Sequence, residues 1–378
     1  MNPVWVTRLA AVTAFGDGVD RLWQGLLGGA TAIRPVTRFD TQCYQTRFAA
    51  GVPDLEPAGP ASRVQPLLDR LFCDFGPVPA DAVLLTATTK GGIDNLERWQ
   101  RGQAAVAADV APTAVAAGVA ARFGLRQPGL NISAACASST IAVAHGAALI
   151  ARGQADAVLI CCYDLVSEFV FAGFSALQAL AAEPCRPFDR GRTGLSLGEG
   201  AAALLLLSPA RARRERLAPL GTVLGWGVAN DANHITAPAR DGCGLIAASR
   251  RALELAGVPA AGRIAGINAH GTGTVYNDLM ELTAFRAVFG DAVPPLHSVK
   301  GAIGHTMGAA GGIEVVVALR SLAAHTLPPT VGLREPEPAA AGRISAGPLP
   351  LGDGLILSTN SGFGGINGAL VLGGEATA

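Results

Sequence analysis

Short apolar runs alternate along this chain with longer Ala-rich segments of helical spacing, and this alternation is the feature that most restricts its fold. Apolar runs at 82–87, 130–135 and 155–164 are separated by helical segments at 111–124 and 139–153. Strands with continuous apolar sequences are typical of sheets that helices cover on both faces. The sequence therefore predicts an α/β protein with mostly buried strands.

The second half repeats this alternation after a charged segment at 210–221, which is a possible hinge. A predicted helix over 245–256 and a predicted strand over 263–271 follow it. We place the boundary inside the charged segment, so that the halves comprise residues 1–215 and 216–378. Length alone permits either separate domains or one large fold built from two similar halves.

The composition excludes several functional classes. The 378 residues include 29 Lys and Arg against 29 Asp and Glu, so the formal net charge is zero, and 50% of the residues are hydrophobic. A nucleic-acid-binding protein normally has a basic excess or a basic stripe, and neither is present. The glycine-rich GxGxxG and GxxxxGK motifs are also lacking, which gives nucleotide binding little support.

The cysteines and the uncharged stretches bear on the compartment. The seven cysteines form an odd set without CxxC pairs, so neither a disulfide framework nor a zinc ribbon is indicated. We expect a reducing, cytoplasmic location. Residues 127–150 carry no charged side chain apart from His145, but they include a proline and several hydroxyl side chains. They predict a strand, a turn and a buried helix rather than a membrane span.

Cys136 is the first candidate for chemistry. It lies in SAACASST, between an apolar run and a helix, so its sulfur is expected at a helix N-terminus, where the dipole and free N–H groups stabilise a thiolate. A strand-to-helix turn of this kind resembles the nucleophile elbow of hydrolases. A lone cysteine in an Ala-rich segment is also common in protein cores, so other residues must decide its role.

Two histidines strengthen the case. His270 follows an apolar strand in INAHGTGT, and His305 stands in a glycine-rich turn that opens a helix. Either one alone could be structural. Catalytic groups that are distant in sequence converge at the carboxyl ends of strands in α/β folds, so Cys136 and the two histidines together predict one active site.

These motifs resemble those of the β-ketoacyl-acyl-carrier-protein synthases of the thiolase superfamily, of the elongating kind with two active-site histidines. The resemblance spans nearly the whole chain, from TAFGDGVDRLWQGLLGG through ACASST and RPFDRGRTGLSLGEGAA to NSGFGGING. DANHITAP, NAHGTGT, VKGAIGHTMGAAGGIE and LPPTVGL occur in order within the second half. The resemblance implies a five-layered αβαβα thiolase fold made of two similar halves, with the nucleophile in the first and the histidines in the second.

The resemblance also implies a role for each matching catalytic residue. Cys136 resembles the acyl-accepting nucleophile, and His270 and His305 resemble the pair that promotes decarboxylation of a malonyl group. Lys300 and Glu314 resemble a buried charged pair that supports the site.

Further residues resemble those that hold the substrate. Thr272 and Thr274 resemble the hydroxyls that contact the phosphopantetheine arm. Phe363 resembles a gating residue whose backbone N–H completes an oxyanion hole with that of Cys136. No metal and no cofactor are implied, because the substrates are carried on the phosphopantetheine arm of acyl carrier protein.

Three departures from the family pattern bear on the acyl pocket. Lys90 in TTKGG stands where many members have an apolar residue, and we expect it to turn outward or to pair with a carboxylate. Residues 168–171 are bulkier than in many relatives, which predicts a narrow pocket for short, flat or unsaturated acyl chains. The closing motif NSGFGG is one residue shorter than the NSFGFGG that is common in the family.

The expected partners are acyl carrier protein and a second subunit. Carrier proteins are acidic and dock on a basic rim, for which Arg63 and Arg186 are the candidates. The segment 101–112 is poor in basic residues, so a partner subunit could supply part of the rim. The resemblance implies an obligate dimer, either a homodimer or a heterodimer with a chain-length-factor-like subunit of a polyketide or aryl-polyene system.

The leading hypothesis is decarboxylative Claisen condensation of an acyl chain on Cys136 with malonyl-acyl carrier protein, which gives 3-oxoacyl-acyl carrier protein in fatty-acid or polyketide elongation. A structural chain-length-determining subunit is the rival hypothesis, but such subunits usually lack the nucleophile. Thiolases and initiating synthases have a second cysteine or an asparagine in place of one histidine, whereas His270 and His305 are both present.

Overall fold

The structure is a computed structural model, which describes residues 3–258 and 263–375. Its strands are β1 (Val4–Thr13), β2 (Gly16–Asp17), β3 (Arg34–Pro35), β4 (Phe48–Ala50), β5 (Val83–Ala87), β6 (Leu130–Ile132), β7 (Ala157–Asp164), β8 (Leu197–Gly198), β9 (Gly200–Leu207), β10 (Gly221–Asn230), β11 (Ile264–Asn268), β12 (Leu296–His297), β13 (Thr326–Leu327), β14 (Leu349–Pro350), β15 (Leu355–Gly362) and β16 (Ile366–Gly373). Its α-helices are α1 (Val19–Leu27), α2 (Val64–Leu71), α3 (Ile93–Gln100), α4 (Pro112–Arg122), α5 (Ser138–Ala151), α6 (Glu168–Ala176), α7 (Pro209–Glu215), α8 (Cys243–Leu255), α9 (Val275–Phe289), α10 (Lys300–Ile303) and α11 (Ala310–Ala324).

The two halves of the chain contribute strands in the same order. The first half gives β6-β5-β7-β9-β1 and the second gives β12-β11-β15-β16-β10. In each half the first three strands are parallel and the last two join antiparallel to their neighbours. Antiparallel pairing of β1 with β10 connects the two sets into one continuous sheet. The repeated order confirms the expectation of one fold with two similar halves.

Alternate residues of the central strands face different helical layers, because successive side chains of a strand point to opposite faces. On β7, Val158, Ile160 and Cys162 pack with the residues of α5 and α11, whereas Leu159 and Cys161 pack with those of α2 and α4. On β15 and β16, alternate side chains likewise pack either with the central helices or with the outer helices α8 and α9. The predicted αβαβα layering is therefore confirmed, with α5 and α11 in the middle layer.

Glycines allow the middle layer to pack closely. A Cβ atom on Gly311 would lie 2.0 Å from Thr140 Oγ1, and one on Gly312 would lie 2.2 Å from Cys162 Sγ. Real atoms do not approach this closely, so any larger residue would push α11 away from α5 and β7. Since Cys136 precedes α5 and His305 precedes α11, this contact also fixes how the two halves of the site meet.

The segment Met307–Ala324 is long and apolar enough to cross a membrane, but 83% of it is buried inside the protein. Burial between the two sets of strands accounts for its apolar sequence, as in the core helices of other large folds. The predicted strand, turn and buried helix at 127–150 are confirmed as β6, a turn and α5.

The charged segment at 210–221 is not a hinge over its first half. Residues up to Glu215 belong to α7, whose Arg211 forms ion pairs with Asp81 and Glu215. Only residues 216–220 link α7 to β10. The boundary between residues 1–215 and 216–378 stays a prediction.

Candidate active site

Cys136 lies in the turn between β6 and α5, with 7% of its surface exposed. The preceding residue, Ala135, has φ +48°, in the left-handed region that residues other than glycine seldom adopt. Ser138 stabilises this turn, because its Oγ accepts from the Ala134 N–H over 2.8 Å and donates to the Ala135 carbonyl over 2.6 Å. The turn therefore has the strand-to-helix geometry that the sequence predicts, and the structure adds backbone strain at Ala135.

The structure brings Cys136, His270 and His305 together. His305 Nε2 lies 2.9 Å from Cys136 Sγ. The centroids of the two histidine rings are 5.1 Å apart and the rings are nearly perpendicular, at 85°. All three side chains are buried and line the same cleft. The predicted convergence of a thiol from the first half with two imidazoles from the second is what the fold produces.

Asn360 fixes the orientation and the tautomer of His270. Its Nδ2 donates to His270 Nδ1 over 3.1 Å and to Glu314 Oε2 over 2.7 Å, while its Oδ1 accepts from the Thr140 hydroxyl. Since Nδ1 of His270 is an acceptor, the proton of the neutral ring lies on Nε2. His270 lines the cleft, and no acceptor for this N–H is found in the described part of the chain.

His305 presents a second Nε2–H. Its Nδ1 is buried and has no hydrogen-bond partner among the described residues. Buried N–H groups without an acceptor are rarer than acceptors without a donor, so the proton is placed on Nε2. The ring then donates to Cys136 Sγ, and both histidines line the cleft that contains this sulfur.

Lys300 and Glu314 form the buried ion pair that was expected. Nζ of Lys300 lies 2.5 Å from Glu314 Oε1 and donates over the same distance to the His270 carbonyl. Both side chains are 1% exposed, which rules out a surface pair. The pair therefore connects α11 to the loop that carries His270.

A second carboxylate holds the His270 loop from the other side. Glu281 on α9 accepts from the N–H groups of His270, over 2.7 Å, and Gly271, over 2.6 Å. It also accepts from Asn277 Nδ2 over 2.9 Å. Burial raises the pKa of Glu281 to about 8, with the neighbouring Asp278 acting in the same direction.

Both active-site histidines are neutral. Burial lowers the pKa of His270 and that of His305 well below the ordinary value, and the positive charge of Lys300 lowers both further. Neutral imidazoles with the proton on Nε2 are hydrogen-bond donors without being strong acids.

The pKa of Cys136 differs from the expectation of a stabilised thiolate. Burial raises it to about 11, which outweighs the opposing effects of Lys300, Lys90 and the backbone N–H of Phe363. The thiol is therefore protonated at rest, because a charged sulfur loses more by desolvation than it gains from these groups.

The closing motif packs directly against the nucleophile turn. A Cβ on Gly362 would lie 3.0 Å from the backbone N of Cys136 and 3.2 Å from the Ala134 carbonyl. Phe363 lines both cavities that adjoin Cys136, and its backbone N–H lowers the pKa of the Cys136 thiol. The shorter NSGFGG sequence thus still places Phe363 beside Cys136, where the resemblance implies an oxyanion hole.

A cleft of about 420 Å³, here called the entrance cleft, leads to Cys136 from the surface. Thr272 and Thr274 line it, and their hydroxyl oxygens lie 2.9 Å apart. Its lining also includes Phe174, Thr236, Pro238, Tyr276 and Phe363. The predicted phosphopantetheine contacts are therefore positioned along the route to the sulfur.

A second cavity, of about 360 Å³, adjoins Cys136 on the other side of Phe363 and is here called the acyl chamber. Its lining includes Lys90, Ser133, Phe169, Val170, Phe174 and Met307. Of the bulky residues at 168–171, only Phe169 and Val170 line it, since Phe171 packs between Phe39 and Tyr44.

Cys136, His270 and His305 offer ligand atoms that all lie within 4.8 Å of one another, as a metal site would require. A metal-bound histidine normally donates its other ring N–H to an acceptor. His270 faces a donor there instead, because Asn360 Nδ2 points at its Nδ1. The hydrogen bonding of this site is thus unsuited to a metal ion and suited to two N–H donors.

The chain is similar to known proteins over nearly its whole length. Residues 82–212 match the family described as "Beta-ketoacyl synthase, N-terminal domain", and residues 220–334 match "Beta-ketoacyl synthase, C-terminal domain". The chain is 31% identical to the 3-oxoacyl-[acyl-carrier-protein] synthase 2 of Coxiella burnetii, with 98% of each chain covered. It belongs to the β-ketoacyl synthase family. A synthase of the same name from a Synechocystis species is also 31% identical, over 96% of each chain.

Solved structures of the family agree with this membership. The ishigamide ketosynthase/chain length factor superposes with a TM-score of 0.90 at 30% identity and 99% coverage of both chains. A β-ketoacyl synthase from Burkholderia phymatum gives a TM-score of 0.88 at 26% identity, covering 99% of this chain and 100% of the other. A ketosynthase in complex with its chain length factor from Xenorhabdus doucetiae gives 0.82 at 27% identity, covering 99% and 98%.

Of the two arginines of this β-ketoacyl synthase that were predicted to dock the carrier protein, Arg63 was predicted wrongly. The side chain of Arg63 is 5% exposed, lies 2.9 Å from Glu199 Oε2 and donates to the Val166 carbonyl. Its guanidinium balances a buried carboxylate and is not available to a protein partner. Arg186, the other candidate, is part-exposed. It lies beside the loop that lines the entrance cleft, since a Cβ on Gly273 would be 3.3 Å from the backbone N of Arg186.

Sequence reasoning missed Asn360 and left Glu281 without a role. Asn360 stands inside the quoted motif NSGFGGING, and Glu281 follows NAHGTGT by a short interval. The available signal was a run of four polar residues, 358–361, directly after the three aliphatic residues that begin β15. Only the structure reveals that Asn360 joins His270 to Glu314.

Proposed function

We propose that this β-ketoacyl synthase accepts an acyl chain on Cys136 and condenses it with a malonyl group on acyl carrier protein, releasing carbon dioxide and giving 3-oxoacyl-acyl carrier protein. The observation that carries the proposal is the approach of His305 Nε2 to Cys136 Sγ at 2.9 Å, with the His270 ring 5.1 Å away. One nucleophile beside two neutral N–H donors suits acyl transfer followed by enolate stabilisation.

In the first step Cys136 takes the acyl group. The sulfur attacks the carbonyl carbon of the incoming thioester, the bond to the carrier sulfur breaks, and the carrier leaves as a thiol with the proton that Cys136 gives up. Negative charge develops on the Cys136 sulfur as it gives up its proton. The Nε2–H of His305 and the N–H of Phe363 would stabilise that charge. The N–H groups of Cys136 and Phe363 would hold the oxyanion of the tetrahedral intermediate.

In the second step the malonyl thioester loses its carboxylate. The bond to the carboxyl carbon breaks, carbon dioxide leaves, and the electron pair enters a thioester enolate whose oxygen accepts hydrogen bonds from His270 and His305. Charge develops on that oxygen only during the reaction, so donors placed there in advance lower the barrier. Neutral rings keep their protons and do not quench the enolate.

In the third step the enolate carbon attacks the carbonyl carbon of the acyl-cysteine. A carbon–carbon bond forms, the bond to Cys136 breaks, and the thiolate is released and protonated by water. The product remains on the carrier, while Thr272 and Thr274 would guide its phosphopantetheine arm out through the entrance cleft.

We also place a partner subunit of the same fold at the outer wall of the acyl chamber. The edge strand β6 exposes 62% of Leu130, and Phe169 and Leu177 expose 55% and 51% beside the chamber. Large exposed apolar side chains, and a sheet edge that no described strand covers, are both typical of a buried interface. The partner is either a second copy or a chain-length-factor-like subunit, in fatty-acid or polyketide elongation within a reducing cytoplasm.

Reconstitution tests the proposed function. The purified protein, with any subunit that co-purifies, is incubated with an acyl donor and malonyl-carrier protein, and the carrier is analysed by mass. The proposal expects 3-oxoacyl-carrier protein and carbon dioxide in equal amounts. Carbon dioxide without any condensed product from wild-type protein would contradict it, as would product from Cys136→Ala at the wild-type rate.

A further inference from the structure

An ammonium group that forms no direct ion pair among the described residues lines the acyl chamber. Lys90 is half-buried in the loop after β5, and it shares the chamber lining with Cys136 itself. Among the residues that the structure describes, its Nζ makes one hydrogen bond, to Thr89 Oγ1 over a long 3.4 Å, and no ion pair. Its charge acts on the Asp164 carboxylate only across Thr89, whose Oγ1 donates to Asp164 Oδ2 over 2.8 Å, so the described residues do not include the direct pairing with a carboxylate that was one of the two expectations.

The carboxylate of Asp164, on which the charge of Lys90 acts, already accepts from other donors. Asp164 accepts from Thr88 Oγ1 over 2.6 Å, from Thr89 Oγ1 over 2.8 Å and from the Gly308 N–H over 2.7 Å. It holds the loop of Lys90 against the turn that follows His305, but it accepts nothing from the Lys90 ammonium. Because Lys90 lines the chamber and its ammonium has three N–H donors, donors remain available to a ligand there.

The rest of the chamber makes this ammonium unusual. Phe169, Val170, Phe174 and Met307 give it apolar walls, and its hydroxyl groups are those of Thr89 and Ser133. An ammonium among apolar groups loses its hydrogen bonds to water, and only another acceptor can replace them. A saturated alkyl chain on Cys136 would bury Lys90 further without offering any acceptor, whereas an oxygen atom on the chain would satisfy it.

We infer that Lys90 selects acyl chains that carry an oxygen acceptor, either a carbonyl or a carboxylate, at the end remote from Cys136. This inference rests on the proposed function, because it assigns the substrate class of the same acyl-cysteine. The chain occupies the acyl chamber with its oxygen at the Lys90 ammonium and its apolar middle between Phe169 and Met307.

Acylation of Cys136 by three donors of equal length tests the inference. The donors are carrier-bound hexanoyl, 5-oxohexanoyl and 5-carboxypentanoyl groups, and the readout is the rate of acyl mass gain on the intact protein with any co-purifying subunit. A hydrogen bond to a charged group corresponds to a rate advantage of roughly tenfold or more. Wild-type protein should favour at least one oxygenated donor over hexanoyl by that factor, and the better of the two identifies the acceptor.

Two variants separate selection from general activation. Lys90→Met keeps the length of the side chain without its charge, and it should reverse the preference by accelerating hexanoyl and slowing the oxygenated donors. Lys90→Arg retains the charge and should retain the preference. Thermal unfolding of each variant checks that the fold is intact.

Each remaining outcome has a defined meaning. Equal slowing of all three donors in Lys90→Met would overturn the inference, because Lys90 would then act on the Cys136 thiol and not on the chain. A wild-type preference for hexanoyl, or no preference, would overturn the inference and leave the proposed function standing. Failure of every donor to acylate wild-type protein would overturn both.

Discussion

The side-chain amide of Asn360 donates to Nδ1 of His270 over 3.1 Å, and this one hydrogen bond determines which nitrogen of the ring carries its proton. The amide cannot turn over, because its oxygen accepts from the Thr140 hydroxyl and its second N–H is directed at Glu314. An active-site donor at the entrance cleft is thereby fixed by residues that do not reach the substrate.

Asn360→Asp should move the proton of His270 from Nε2 to Nδ1, since a carboxylate accepts where the amide donates. Release of carbon dioxide from malonyl-carrier protein should fall by about a hundredfold, the usual cost of one preorganised donor. Nitrogen NMR of labelled histidine reports the tautomer directly. An unchanged tautomer with an unchanged rate would show that Asn360 does not position His270.

The reactivity of Cys136 should depend steeply on pH. Because burial raises its pKa to about 11, the thiolate fraction grows as pH rises, and alkylation by iodoacetamide should accelerate roughly tenfold per pH unit between pH 7 and 10. Peptide mass spectrometry separates Cys136 from the exposed Cys43, Cys73 and Cys243. A rate that levels off below pH 8 would mean that the site stabilises the thiolate more than burial opposes it.

Removing one member of the Lys300–Glu314 pair should lower the free energy of unfolding more than removing both members. Lys300→Met leaves the Glu314 carboxylate buried without its counter-ion and should lower the free energy of unfolding by about 3–5 kcal/mol. The double variant with Glu314→Gln should recover a large part of that loss. Urea denaturation measures both, and a single-variant loss below about 1 kcal/mol would contradict the buried pairing.

Gly362→Ala should impair acylation more than stability. The added Cβ would lie 3.0 Å from the Cys136 backbone N, so the nucleophile turn or the Phe363 loop must shift. A misplacement of about 1 Å near reacting groups costs about a hundredfold in rate, so the smaller shift that this contact requires should slow acylation by roughly several-fold. Gly118→Ala on α4 is the matched control, since its Cβ would meet nothing within 4 Å. Equal acylation rates in the two variants would show that the absence of a side chain at Gly362 is not required for the oxyanion hole.

Apolar periodicity predicted the central elements closely, because buried strands and helices are where tertiary contacts agree with local sequence. The strand at 155–164 is observed as Ala157–Asp164 and the helix at 139–153 as Ser138–Ala151. The resemblance also predicted that residues from both halves would meet at Cys136. These signals lie in contiguous motifs, each of which is visible in the linear sequence.

The charged residues were harder to place, because their environment depends on partners that are distant in sequence. Arg63 pairs with Glu199, 136 residues away, and nothing local distinguishes it from a surface arginine. The orientation of Lys90 likewise depends on Asp164, whose oxygens are taken by Thr88, Thr89 and Gly308. The effect of burial on the Cys136 pKa opposed the helix-terminus argument, since desolvation requires the whole fold to be known.

Intact-mass measurement of acyl transfer tests the central claim most directly. Wild-type protein, with any co-purifying subunit, is exposed to acyl-carrier protein and compared with Cys136→Ala. The account predicts that wild-type protein gains the mass of one acyl group per active site, that peptide mapping assigns the group to Cys136, and that subsequent malonyl-carrier protein removes it. Absence of any acyl mass on wild-type protein, or its full retention in Cys136→Ala, would contradict the account.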